Sequence, residues 1–144
     1  MTSSSKKSFY VSQKAVIVAA DGTMLALRRS STAPSRPLFW DLPGGQLDFG
    51  EDPKAGIVRE IQEESGIDVY DVTVLDALSK ISEIDGRFWV TIAYNAHTHS
   101  KNVMLSFEHD EYQWIPPSEF SSLQASTRNK KIVRAYISKN ELGI

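Results

Sequence analysis

The sequence predicts one layered α/β (α+β) domain, and three observations carry that expectation. Short β-branched runs closed by turn residues alternate with two stretches of helical periodicity. The 144 residues, 41% of them hydrophobic, match the size and apolar fraction of one domain with a full core. No internal repeat, low-complexity core segment or linker divides them, so the strands and helices belong to one layered unit. Residues 1–9, rich in serine and lysine, are expected to form a disordered tail ahead of a domain over residues 10–144.

Lys14 to Ala20 is a nearly continuous apolar, β-branched run, as expected of a strand covered on both faces. Asp21-Gly22 marks a hairpin turn, and Met24 to Arg29 reads as the returning strand. Ser30 to Pro37, with its serines and two prolines, reads as a surface loop that delivers Trp40-Asp41-Leu42-Pro43-Gly44-Gly45. A helix is predicted from Pro53, a first-turn residue after a capping Asp52. Ala55, Ile57 or Val58, Ile61 and Ser65 then recur at helical spacing, and Gly66 supplies the stop. Val69 to Leu78 and Phe88 to Tyr94 read as a second hairpin around Glu83-Ile84-Asp85-Gly86, followed by a polar connection over Asn95 to Asn102. Val103 to Phe107 and Gln113 to Ile115 are expected to be short strands flanking an acidic loop. Pro117 to Leu123 is expected to be a short helix, and Thr127 to Lys139 a final helix with Ile132, Val133, Tyr136 and Ile137 on one face.

Composition narrows the chemistry. The absence of cysteine removes disulfides, thiolate metal sites and a thiol nucleophile, so any metal must bind through oxygen or imidazole. A net charge of -2 provides no overall basic field for polymeric nucleic acid, and the basic residues of the last helix read as a solvated face. No apolar run approaches the roughly 20 residues that span a bilayer, and residues 1–8 lack a signal peptide's apolar centre. The expectation is a cytoplasmic protein without a membrane partner.

The chemistry concentrates between Gly45 and Ile67. On a helix, residues three and four apart are neighbours, so Glu60 faces Glu63 and Glu64, and three carboxylates crowd one patch. Alone they would describe an ordinary acidic surface. With a hard cation among them the repulsion becomes a driving force for capture, and all-oxygen ligands suit Mg²⁺ or Mn²⁺. Such an ion could polarise a phosphoryl oxygen and acidify water, with a neighbouring carboxylate completing the deprotonation. Gly44 and Gly45 permit the close backbone approach that a carbonyl ligand needs. Glu51, just ahead of the helix, can accept the first amides.

The order Gly45, five residues, Glu51, seven residues, Arg59-Glu60-Ile61-Gln62-Glu63-Glu64-Ser65-Gly66-Ile67 resembles the box of the Nudix hydrolase family at every fixed position. The resemblance implies a three-layer α/β/α sandwich with a mixed β-sheet, the box forming a loop, helix and loop. It implies Glu60, Glu63 and Glu64 as ligands of Mg²⁺ or Mn²⁺, with the Gly44 carbonyl as a further ligand. Arg59 would orient Glu60, Glu51 would fix the loop, and Gly45 and Gly66 would be structural. A later carboxylate often joins the family's site as ligand or general base. Glu108 is the first choice and Glu111 the second, with Glu63 also a candidate base. Arg28 and Arg29 end a strand leading toward the box, and the second resembles a position that touches substrate phosphate. Gln124 or Asn129 could read a base edge.

The function so implied is metal-dependent hydrolysis of a diphosphate bond in a nucleoside diphosphate linked to another group, by default a nucleoside triphosphate, oxidised ones included. Proline is absent between Pro53 and Pro116, which disfavours one ADP-ribose-cleaving pattern, while nucleotide sugars stay open. A non-catalytic nucleotide-binding module would be expected to carry degenerate glutamates, and these are intact. The superfamily's isomerases use a cysteine that this chain lacks. Family members are often dimers, which leaves a homodimer open.

Overall fold

Alternation along the first strand, β1 (Phe9–Ala19), sets the layering. Ala15 and Ile17 pack on one side against Ile57 and Ile61 of α1 (Pro53–Ser65). Val16 and Val18 pack on the other side against Ile132, Val133 and Tyr136 of α2 (Thr127–Glu141). A strand buried on both faces must be apolar on both, which is why its sequence reads as a continuous run. The computed structural model describes residues 8–142, and in it a mixed sheet lies between two helices.

β1 runs parallel to β6 (Phe88–Thr98) and antiparallel to β2 (Met24–Arg29) and β4 (Gly44–Gln46). β5 (Tyr70–Ile81) pairs antiparallel with β6, while β3 (Trp40–Asp41) and β7 (His109–Ile115) pair with β2. The main path is β3-β2-β1-β6-β5, with β4 attached to β1 and β7 to β2. The α/β/α sandwich with a mixed sheet is therefore the observed fold.

Local signals placed α1 well. Asp52 caps it by accepting from the Ala55 amide at 3.1 Å, Pro53 opens it, and Gly66 closes it at φ 69, where a side chain would be strained. Gln13 pins its start to the sheet, donating to the Pro53 carbonyl at 2.8 Å and to Tyr94 Oη at 2.6 Å. The Ser126 hydroxyl caps α2 from the Asn129 amide at 3.1 Å.

Three expectations need correction. The polar connection expected over Asn95 to Asn102 begins later, because β6 runs on to Thr98. Its polar residues keep ladder partners on β1 and β5, and Ala96 and Thr98 are buried. Val103 to Phe107 is not a strand. The Met104 amide donates to the Ser65 carbonyl at 2.8 Å and the Ser106 amide to the Glu64 carbonyl at 3.4 Å, so the end of α1 takes the donors that a ladder would need. The acidic loop is shorter than expected, since β7 starts at His109, where Arg28 across the ladder pairs with Asp110 and Glu111. Pro117–Ser122 is a 3-10 helix. Of the tail expected over 1–9, residues 1–7 lie outside the described residues, and Phe9 already pairs with Phe88. Among the described residues no helix is long and apolar enough to cross a membrane.

Candidate active site

The glycines come first because they fix how closely the loop meets the sheet and the helix. Gly44 pairs with Lys14 at φ 145, and a side chain there would overlap the Gln13 carbonyl. Gly45 has the Glu60 carboxylate 2.7–2.8 Å from where a Cβ would stand. The missing side chain is thus the cradle in which Glu60 sits.

Arg59 gathers the acids. Its Nε donates to Glu51 Oε2 at 2.7 Å and its Nη2 to Glu51 Oε1 at 3.0 Å. Nη1 reaches Glu63 Oε1 at 3.0 Å, and Nη2 reaches Glu60 Oε1 at 3.2 Å and Asp48 Oδ2 at 3.5 Å. Glu51 also accepts the Asp48 amide at 3.2 Å, tying the loop ahead of α1 to the arginine. Hydrogen bonding from Arg59 holds the Glu51 carboxyl below its ordinary range. One guanidinium facing four carboxylates leaves the cluster negative. Glu60 shows the consequence, since burial raises its pKa against the pull of Arg59, and Glu63 and Glu108 raise it further.

Glu64 turns the other way and is 5% exposed. Its Oε1 accepts the Gly44 amide at 3.0 Å. Burial pushes its pKa up to about 7, against the opposing influence of Lys14, the Gly44 amide and His109. A raised folded-state pKa means that the stability of the neutral acid is present below pH 4.5, its ordinary value, and is lost as pH rises through about 7. In chelator, Glu64→Gln is therefore expected to be more stable than wild type by roughly 3 kcal/mol at about pH 8, with the difference closing toward pH 4.5. Urea denaturation at the two pH values measures it, and parallel pH profiles for the two proteins would rule the strain out.

Among the described residues no group of three or more His, Asp or Glu side chains stands arranged to hold a metal ion, as Arg59 and the Gly44 amide hold the glutamates. The donors nevertheless fit Mg²⁺ or Mn²⁺: all are oxygens, the cluster is negative, and the Gly45 cradle keeps Glu60 against the loop.

The remaining candidates divide. Glu108 is exposed in the turn before β7, near enough to Glu60 to raise its pKa. Glu111 is instead paired with Arg28 at 3.3 Å, and Asp110 with Arg28 at 2.9 Å. Arg29 lines a cavity of about 610 Å³ that Gly45 and Gln46 also line, and Arg28 does not line it. Gln124 gives its backbone carbonyl to the Trp40 amide. His97 and His99 lie against Tyr70, with ring centroids 5.7 and 4.3 Å away.

The floor of that cavity holds Lys14 and Asp41, to which the sequence assigned no role, beside Asn129, one of the two candidates for a base edge. Lys14 Nζ donates to Asp41 Oδ1 at 3.0 Å, to Asp41 Oδ2 at 3.2 Å and to the Leu42 carbonyl at 3.0 Å. Asp41 Oδ1 also accepts the Leu42 amide and Asn129 Nδ2, both at 2.8 Å. Burial alone would raise the Asp41 pKa, but Lys14, His109 and Arg128 overcome it and hold the group below the usual carboxylate range. His109 Nε2 stands 3.6 Å from Asp41 Oδ2, just beyond hydrogen-bonding reach, and both its ring nitrogens are buried without a partner. The available signal was a lysine opening a run otherwise buried, because a buried ammonium requires a carboxylate.

Comparison with known proteins agrees with this architecture. The family model of the NUDIX domain matches residues 10–136. A MutT-like protein of Streptomyces ambofaciens is 32% identical over 115 residues, covering 80% of this chain and 69% of that protein. An 8-oxo-dGTP diphosphatase of Proteus vulgaris is 49% identical over a shorter stretch of 41 residues, 28% of this chain and 37% of its own length. The crystal structure of a MutT protein from Methanosarcina mazei Go1 superposes with a TM-score of 0.79 at 26% identity, covering 95% of this chain and 99% of the other.

Proposed function

The chain belongs to the Nudix hydrolase family, and from that premise we propose that it is a metal-dependent pyrophosphohydrolase of nucleoside triphosphates. It is a Nudix-type hydrolase acting on the diphosphate of a nucleotide. The observation that carries the finer reading is the Arg59 hub. It joins Glu51, Glu60 and Glu63 in one hydrogen-bonded group, with Glu64 seated on the Gly44 amide at the loop that leads to the cavity-lining Gly45 and Gln46. A relative named for acting on 8-oxo-dGTP supports a triphosphate substrate.

In this reading Glu60, Glu63 and Glu64, with the Gly44 carbonyl, would hold Mg²⁺ or Mn²⁺. The ion, when bound, stabilises charge on the phosphoryl oxygens and acidifies water. Arg59 positions Glu60 and Glu63, while Glu51 keeps the loop closed on the arginine. Glu108 or Glu63 takes a proton from the attacking water, whose oxygen bonds to phosphorus as the bridging P–O bond breaks. The displaced oxygen leaves as phosphate or pyrophosphate. Arg29 meets negative charge on the phosphates.

The test is a panel of nucleoside triphosphates and nucleotide sugars, each assayed with Mg²⁺, with Mn²⁺ and with EDTA, and with the products identified. Turnover of a triphosphate is expected only with metal. Turnover undiminished by EDTA, or confined to nucleotide sugars, would overturn the reading.

A further inference from the structure

Three arginines face the cavity with too little negative charge to balance them. Arg29, Arg36 and Arg128 line it together with Ser35, Asp41 and Ser126. Among the described residues neither Arg36 nor Arg128 forms an ion pair. Arg128 has one hydrogen bond, from Nε to Asn129 Oδ1 at 3.1 Å, which leaves its two terminal nitrogens without a protein acceptor. Arg29 donates Nε to the Ser35 carbonyl at 2.9 Å and approaches Asp41 Oδ2 at 3.6 Å. Asp41 in turn is already neutralised by Lys14. Glu83 and Asp85 also line the cavity, and neither pairs with these arginines.

Burial lowers the Arg128 pKa, and Arg36 and Arg29 lower it further against the attraction of Asp41. A guanidinium stays charged at any physiological pH, so the strain is relieved by an anion rather than by loss of a proton. Arg36 is also held at φ 46, a backbone conformation that side chains seldom adopt, on the loop between β2 and β3. Gly45 and Gln46 share the cavity, so it runs from these arginines to the first residues of the box.

We propose that Arg36 and Arg128 join Arg29 in a phosphate-holding wall that selects the polyphosphate chain of a nucleoside triphosphate over a nucleoside diphosphate carrying a neutral sugar. The inference rests on the hydrolase reading above and deepens it. The triphosphate carries more charge and more acceptor oxygens to place on three planar guanidinium forks. A neutral sugar in their place would leave them unpaired.

The test is calorimetric titration of inorganic tripolyphosphate into the whole protein in EDTA. Wild type is compared with Arg36→Gln, Arg128→Gln, the double variant and Arg134→Gln, the last an exposed position on α2 outside the cavity. Each cavity arginine is expected to cost about ten-fold in affinity, with no change in Arg134→Gln. With metal restored, the double variant should lose kcat/KM on triphosphates through KM, with little change on a nucleotide sugar. Arg128→Lys, which keeps the charge, should retain part of the binding, and thermal midpoints identify any variant that fails to fold. Binding in the double variant equal to wild type, or an unchanged preference between the two substrates, would overturn the inference. If wild type binds tripolyphosphate through these arginines but hydrolyses no nucleotide, the hydrolase reading falls and the anion wall stands. Hydrolysis with normal binding in the double variant gives the reverse.

Discussion

Glu63→Gln is expected to lower kcat on the best nucleotide substrate by about 10²- to 10⁴-fold while leaving the fold intact. The two halves of that expectation have different origins. Glu63 is 57% exposed at its side chain and its hydrogen bonds go to Arg59 alone, an exposed helical pair worth about 0.5 kcal/mol or less. Its removal therefore leaves the thermal midpoint almost where it was. In the proposed reaction the same carboxylate is a ligand oxygen and a candidate base, and a glutamine supplies neither the charge nor the proton acceptor. The loss should fall on kcat rather than KM, as for an interaction made mainly in the transition state. Glu108→Gln and Glu111→Gln complete the comparison. Glu108 is exposed and influences Glu60, so it should share in the loss, whereas Glu111 is occupied with Arg28 and should not. Full activity in Glu63→Gln would remove the carboxylate cluster from the mechanism.

What could be read from sequence follows the range of the interactions. The box helix was legible in detail because Asp52, Pro53 and Gly66 act within one turn of its ends, whereas the Arg59 pair with Glu63, four residues on, was not read beside its expected pairing with Glu60. Two-sided burial of β1 was legible for a similar reason, since its apolar run records both core layers at once. The misplacements all concern pairings made across the chain. The polar residues ending β6 form a strand because β1 and β5 supply partners, and Val103 to Phe107 does not because the end of α1 claims its amides.

The same limit applies to the site. Glu60, Glu63 and Glu64 could be named because they lie three and four apart in the box, although Glu64 turns to the Gly44 amide while Glu60 and Glu63 meet Arg59. Lys14 and Asp41 are 27 positions apart, and Asp41 and Asn129 are 88 apart, so their meeting depends on β3, β4 and α2 reaching their places. Sequence offered both Arg28 and Arg29 and matched the second to a phosphate-touching position, and strand alternation with the β7 ladder sets the two apart. One is spent on Asp110 and Glu111, while the other reaches the cavity.

Lys14→Met should destabilise the protein by about 3–5 kcal/mol, because it leaves a buried carboxylate without its main counter-ion. Lys14 and Asp41 are 7% and 4% exposed, so cavity water reaches the carboxylate too little to replace the lost ammonium in full. Methionine nearly matches the volume of the lysine stem, so the cost is electrostatic rather than a packing defect. The Leu42 amide and Asn129 Nδ2 still bond to Asp41, which places the expectation toward the lower end of the range. A double variant, Lys14→Met with Asp41→Asn, separates the charge from the shape. Neutralising the stranded acid should restore a large part of the stability, since a buried pair exchanged for neutral groups is often close to neutral overall. Urea denaturation of wild type, the two single variants and the double variant gives the coupling directly. A double variant as unstable as Lys14→Met would mean that packing, rather than the ion pair, holds this floor together.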